Sequence, residues 1–367
     1  MSFEDEIAGK VVEGLKIEIS PTEQKSIQQP ITSSVEAYND YLQARFYMNQ
    51  YFQDSGLESL QKGEDQLLRA TTLDGNFADA YALLGQLYML QGTNFIADGA
   101  ANLKRSETAS KNALRIYPQS VEGMVALGAA YTEQGRLGDA IPILRQAVAL
   151  APNHAFAWDV LAYSYYYAGL NELAEQGYRR VVELNPTPPR NHWMHARMLL
   201  YAGRIQEAEQ EMRETVAKSP DQFKAVAHLG EMLYYEGKMD EAETVMDRAN
   251  QLGRDATDDT ARVLGGFVYA ARGERVKIDK RLFAYRPQQI MDGDAAYWEG
   301  SIYALLGDKR QALEWLRRTV ELGDVNYPWF EKDKNYDSLR SDAEYQAIMA
   351  DVRKRWETYK NEFDPGH

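Results

Sequence analysis

The chain contains no cysteine, and that one absence removes disulfides, thiolate zinc sites and cysteine nucleophiles together. Histidine is scarce: His154, His192, His195, His228 and His367 are the whole supply of imidazole. No apolar run approaches the roughly 18 residues that a membrane-spanning helix needs. The opening residues, Met1-Ser2-Phe3-Glu4-Asp5-Glu6, lack the basic and apolar stretches of a secretory signal. Basic charge is in deficit, with 41 Lys and Arg against 55 Asp and Glu for a net charge of −14. A surface of that sign offers no footprint for phosphates, so a nucleic-acid partner is not expected. The short basic clusters Arg179-Arg180, Arg317-Arg318 and Arg353-Lys354-Arg355 read as solvated helix faces offset by nearby glutamates. Phosphate-cradling loops are missing too: Leu264-Gly265-Gly266-Phe267 fits neither G-x-G-x-x-G nor G-x4-G-K-S/T. No serine sits in a nucleophile-elbow motif. The expectation is a non-catalytic chain with no cofactor and no metal.

What is present is apolar and aromatic material, 44% hydrophobic residues and 24 tyrosines, enough for a continuous core and too much for disorder. It is arranged periodically. Pro118, Pro152, Pro186 and Pro220 are spaced by 34 residues, and so are Gly135, Gly169, Gly203 and Gly237, and Ala140, Ala174, Ala208 and Ala242. Three residue types holding one period across four units make a repeat. Between each Pro and Gly the apolar residues recur at helical spacing, as in Met124, Leu127, Gly128 and Tyr131 or Trp158, Leu161, Ala162 and Tyr165. The small residue (Gly128, Ala162, Ala196, Gly230) lets a second helix come close. The Gly sits where a helix must end in left-handed backbone, and the Pro closes the unit because it cannot continue a helix. Each unit is therefore a helix–turn–helix.

This pattern resembles the tetratricopeptide repeat, whose W-x2-L-G-x2-Y … A … F … P signature has the same period. Trp158-x2-Leu161-Ala162-x2-Tyr165 … Ala174 … Tyr178 … Pro186 carries the match. The resemblance implies an all-α fold, a right-handed α-solenoid. Helices of roughly 12–15 residues are marginal alone in water, so each unit is stabilised by stacking on its neighbours. About eight helix pairs are expected, with residues 34–323 forming the array. The seventh pair is divergent, Leu264-Gly265-Gly266 … Tyr269 … Gly273, and Tyr285-Arg286-Pro287 ends its second helix. Around Gln91–Gly99 the second unit exceeds the template by about nine residues, which reads as an enlarged turn or, alternatively, a loop reaching over the groove. Residues 324–367 form a loop and a capping helix, Asp342 to Tyr359, with Tyr345, Ile348, Met349, Val352 and Trp356 inward.

Ahead of the array, residues 1–33 hold a short amphipathic helix, Asp5 to Leu15, and a linker, a combination that reads as the end of something upstream. Asp5-Glu6-Ile7-Ala8 … Ile19-Ser20-Pro21-Thr22-Glu23, then Glu36-Ala37-Tyr38 … Tyr41-Leu42-Gln43-Ala44-Arg45-Phe46-Tyr47, is similar to a segment of bacterial signalling proteins. In those proteins a cyclase, kinase or winged-helix module precedes a C-terminal repeat array. That resemblance implies the sensing or docking half of such a protein, in the cytoplasm, or in the periplasm if the chain is a fragment of a membrane-anchored protein.

In tetratricopeptide superhelices the first helix of each pair lines the concave surface. The resemblance carries that role here to Phe156, Asp159, Tyr163 and Tyr166, then to Arg190, Trp193, Arg197 and Leu200, then to Lys224, Ala227, Glu231 and Tyr234. Rings with an arginine pair suit an extended peptide or a partner protein. The bland alternative is that Tyr163, Tyr166 and Tyr167 pack between helices. A second copy of the chain, gripped through Trp193 and Tyr163, is the other partner to weigh. The Lys/Asn clamp of co-chaperone repeats is missing, since Ala82, Gln86, Val125 and Ala129 hold comparable positions. His192 and His195 take core-facing places, where hydrogen-bonded histidines are the default reading and a metal site is not.

Overall fold

A computed structural model describes residues 32–364 apart from 55, 94–97 and 257, together with residue 366. The expected helix over Asp5–Leu15 and the excess of the second unit at 94–97 lie outside the described residues. Among those residues every regular element is helical.

Six complete helix pairs follow one another. They are α1 (Val35–Asp54) with α2 (Leu57–Leu73), α3 (Ala78–Thr93) with α4 (Gly99–Ile116), and α5 (Val121–Glu133) with α6 (Leu137–Leu150). Then come α7 (Ala155–Tyr167) with α8 (Asn171–Leu184), α9 (Pro189–Tyr201) with α10 (Ile205–Lys218), and α11 (Phe223–Glu236) with α12 (Met239–Leu252). The turns of the last four pairs share one closure. Gly135, Gly169, Gly203 and Gly237 have φ between 69° and 89°. The next residue's N–H donates five residues back, Arg136 to the Tyr131 carbonyl and Leu170 to that of Tyr165, each at 2.8 Å. That bond satisfies a carbonyl the ending helix would leave open. The small residues act as expected: a Cβ on Gly128 would strike Leu144, and one on Gly230 would strike Met246.

The seventh unit departs from expectation. Its first helix, α13 (Thr260–Ala271), forms, but in place of a second helix there are three 3-10 turns, Arg275–Lys277, Leu282–Ala284 and Pro287–Gln289. The reason is local. Asp279 takes the Arg281 N–H on its own side chain, a turn that competes with the helix. Ile278 stands where the other units have alanine, and Pro287 has no N–H to give. The eighth unit, α14 (Gly293–Leu305) with α15 (Lys309–Glu321), is regular again. A single turn, α16 (Tyr327–Phe330), and a long last helix, α17 (Ala343–Phe363), complete the chain.

The solenoid curls until its end meets its middle. Val325 N–H donates to the Tyr167 carbonyl at 2.8 Å, and Gly293 N–H to the Tyr167 hydroxyl at 3.0 Å. The Asn171 and Asn326 amides exchange two hydrogen bonds. Trp356 Nε1 donates to the Gly169 carbonyl, and Arg145 reaches the Phe363 carbonyl. One apolar cluster accordingly runs from the third unit to α17, while the first two units share a smaller one of their own. The expected cap therefore covers two surfaces, the last unit and the concave side of units four to six.

Candidate functional site

The nine groove positions divide in two. Asp159, Tyr166, Arg197, Glu231 and Tyr234 are buried, the last four at 1–2% exposure. Tyr163, Arg190, Trp193 and Lys224 are part-exposed. The expectation that all nine face an open hollow is corrected for the buried five: the eighth unit and the segment before the cap meet Tyr166, Arg197 and Tyr234, while Asp159 is taken by Arg190 and Glu231 by His228. A concave face rich in tyrosine, from Tyr163 to Tyr167 and again at Tyr201, Tyr234 and Tyr235, is apolar area that water leaves uncovered only at a cost. The chain's own Trp329 covers part of it, packing on Tyr201 and Tyr235 with centroids 4.3 and 5.0 Å away.

Arg197 is the clearest reassignment. Its guanidinium donates to both oxygens of Asp294, at 3.0 and 2.8 Å, and to the Tyr201 hydroxyl at 2.8 Å. The Tyr166 hydroxyl also donates to Asp294. Burial opposes the arginine's charge, but Asp294 more than offsets it and holds the pKa well above the ordinary value. Tyr234 likewise donates to Asn335 of the segment before the cap. Glu231 pairs with His228 at 2.7 Å, and burial pushes that imidazole's pKa down against Glu231's opposing pull.

The other four keep a face toward the opening. Arg190 binds Asp159 at 2.6 Å with its side chain still 41% exposed. Burial works against its charge, yet Asp159 raises its pKa above the usual arginine range. Lys224 pairs with Asp258 at 2.6 Å. Trp193 stacks on His228, centroids 5.4 Å apart and planes 21° from parallel, and Trp298 meets the same imidazole edge-on with centroids 6.3 Å apart. Phe156 and Trp298 are part-exposed beside them. The opening thus presents aromatic faces and two cations whose anionic partners are already inside.

On the outer side, His192 and His195 both bond Glu211, at 2.9 and 2.7 Å. This carboxylate comes from α10, and no spacing within the histidines' own helix announces it. Glu211, with the Glu175, Arg204 and Glu207 carboxylate and guanidinium groups, makes a polar cleft there. Among the described residues no group of three or more His, Asp or Glu side chains is placed to hold a metal ion, and no helix is long and apolar enough to cross a membrane.

Sequence reasoning missed Asp292, Asp294, Tyr297, Trp298 and Trp329, all of which meet the groove. Nothing in a 34-residue period records which distant unit a curled solenoid brings back, so no sequence signal marked them.

Helix pairs that follow one another in stacked order, four of them with helices of 13–14 residues and one glycine closure, define an α-solenoid of helix–turn–helix repeats. The chain carries tetratricopeptide repeats: two family models for that repeat match it, one over residues 121–164 and the other over residues 193–257. Among curated proteins no relative matches. Similar solved structures include a tetratricopeptide repeat protein from Parabacteroides merdae, 17% identical over 78% of this chain and 100% of that one, TM-score 0.47. Another is the repeat protein TTC0263 from Thermus thermophilus, 20% identical over 50% of this chain and 98% of that one, TM-score 0.42. YrrB, described as a repeat protein with an unusual peptide-binding site, is 14% identical over 68% of this chain and 99% of that one, TM-score 0.35.

Proposed function

We propose that the chain is a protein–protein interaction module that holds an extended segment of a partner across the open part of its groove. The segment lies over Phe156, Tyr163, Arg190, Trp193, Lys224 and Trp298. The observation that carries this reading is that Arg190, Trp193 and Lys224 are ringed by chain yet keep accessible faces. Rings and cations already ordered by Asp159, His228 and Asp258 lose little freedom on binding, which is where affinity is gained. The module catalyses nothing itself. Its place is the docking or sensing half of a bacterial signalling protein, in the cytoplasm, in keeping with the N-terminal likeness to such proteins. Peptides selected from a displayed random library against the full chain test the site. Trp193→Ala with Lys224→Ala should weaken the selected peptides by about tenfold or more, since central aromatic and charged anchors dominate such contacts. Equal binding would sink the groove assignment.

A second reading, self-association, is favoured by one observation. The outer face of α1 shows Val35, Tyr38, Leu42 and Phe46, 38–70% exposed, beside the uncharged Asn39, Gln43 and Asn49. Among the described residues nothing stacks on that face. An apolar, charge-poor patch suits a second copy of an acidic chain. Light scattering on a sizing column distinguishes the readings: a dimer broken by Phe46→Glu supports self-association, and a monomer at every concentration removes it.

A further inference from the structure

Unit five differs from its neighbours at three places that meet in space. Where units three, four and six have Met124, Trp158 and Val226, it has His192. Where they have Leu127, Leu161 and Leu229 it has His195, and where they have Ile143, Gly177 and Val245 it has Glu211. His192 Nδ1 lies 2.9 Å from Glu211 Oε1, and His195 Nδ1 2.7 Å from Oε2. The other ring nitrogens also face acceptors, His192 Nε2 the Pro186 carbonyl at 2.9 Å and His195 Nε2 the Glu175 carboxylate at 3.5 Å. Unit four shows what that carbonyl requires, because the Trp158 indole, which can only donate, bonds the Pro152 carbonyl at the equivalent place. A neutral imidazole carries one N–H, so two neutral rings cannot supply four donors. With its Nε2–H given to Pro186, His192 can bond the carboxylate through Nδ1 only as the imidazolium. The three side chains line a cleft of about 380 Å3 and keep 14–18% exposure, so their protons exchange with solvent. The other charged groups of the cleft are Glu175 and Arg179 of α8, Arg204 of the turn, and Glu207, Glu214 and Lys218 of α10. Arg179 and Arg204 hold Glu175, and Arg204 also holds Glu207. Among the described residues no lysine or arginine bridges Glu211, which leaves its charge to the two histidines.

We propose that His192, Glu211 and His195 form a pH-sensitive clasp, which ties α9 to α10 while it holds the extra proton and slackens when that proton leaves to solvent. The Glu211 hydrogen bond raises the His192 pKa above its ordinary 6.5; burial opposes the shift, as does Lys218, and the Pro186 carbonyl adds to it. Burial works against the Glu211 charge, but the two histidines bring its pKa below the ordinary 4.5. A raised imidazole value gives stability that is complete below 6.5 and is lost as pH rises through the folded value. A lowered carboxyl value gives stability that is complete above 4.5 and is lost as pH falls through the folded value. The clasp is therefore firmest between those limits and loosens on either side. Its alkaline limb lies nearer neutrality, where histidine is the side chain that titrates. The helix it releases, α9, also carries Arg190 and Trp193. The clasp needs no bound partner and is independent of the groove reading.

Hydrogen exchange of the full chain, read by mass spectrometry at about pH 6 and about pH 9, compares α10 with α6 in the same molecule, so exchange chemistry common to both cancels. The protection of α10 relative to α6 should fall about tenfold over that interval, the scale of one hydrogen bond to a charged group. Proton NMR of the histidine rings should place the His192 midpoint above 6.5 in the native chain, and at or below it in Glu211→Gln. A triple variant, His192→Val with His195→Leu and Glu211→Val, gives unit five the residues that unit six has at these places. It decides the matter even where Glu211→Gln fails to fold, because its ratio of α10 to α6 protection should be the same at both pH values. A native ratio that does not change with pH, or a triple variant whose ratio falls as far as the native one, overturns the clasp. So does a native His192 midpoint at or below 6.5.

Discussion

Arg197 illustrates how a residue's neighbourhood overrules its position in a repeat. Its place on α9 is a groove place, yet its charge is consumed by Asp294, 97 residues away in sequence. Breaking a buried pair strands the other charge, at about 3–5 kcal/mol. Arg197→Met should lower stability by that amount in urea denaturation, and Arg197→Met with Asp294→Asn should recover more than half of it. A second residue-scale effect follows from Asp333, which accepts the Tyr297 hydroxyl at 2.8 Å and is 1% exposed. Burial pushes its carboxyl up to about 6 from an ordinary value of 3.8. The protonated form is the one the fold prefers. The stability it supports is complete below about pH 4 and is lost as pH rises through 6. Asp333→Asn should gain on the native chain over that window, by on the order of 2 kcal/mol between pH 4 and 8. A constant difference across the window would contradict the assignment.

At the scale of the element, one backbone conformation serves two purposes. Gly203 and Gly323 both have positive φ, 80° and 95°. Gly203 has open space where a Cβ would go, whereas a Cβ on Gly323 would fall on Gly135 Cα. Gly203→Ala should cost about 1 kcal/mol, the strain of left-handed backbone alone. Gly323→Ala should cost clearly more, because it also pushes the eighth unit away from the third. Thermal unfolding of the two variants checks the ordering. The regular helices were legible because 3-4 spacing, the small residue and the glycine each specify them locally, and the final helix was legible for the same reason. The second helix of unit seven was misjudged: Ile278, Leu282 and Tyr285 keep helical spacing, but the Asp279 turn and Pro287 outweigh it.

At the scale of the molecule, the curl decides what the groove can do. The segment after α15 covers Tyr166, Tyr201 and Tyr235 and is bonded to units three, four and six. A chain ending at Leu322 should bind more of a hydrophobic dye such as ANS and lose amide protection along α7 and α9, because those tyrosine faces would then meet water. Dye binding and hydrogen exchange equal to the full chain would show that the cap contributes nothing there.

The 34-residue period, the glycine turns and the inward faces of each helix pair are properties of the sequence by itself, since each depends on residues within one or two turns of one another. The resemblance to the repeat family assigned nine side chains to the first helices of three units, and those nine lie on α7, α9 and α11. Which of the nine stay open was decided only in the tertiary structure. Small rotations between successive pairs add up over three units until Asp294 arrives at Arg197 and Trp329 at Tyr201. A sum of that kind is written in no single repeat.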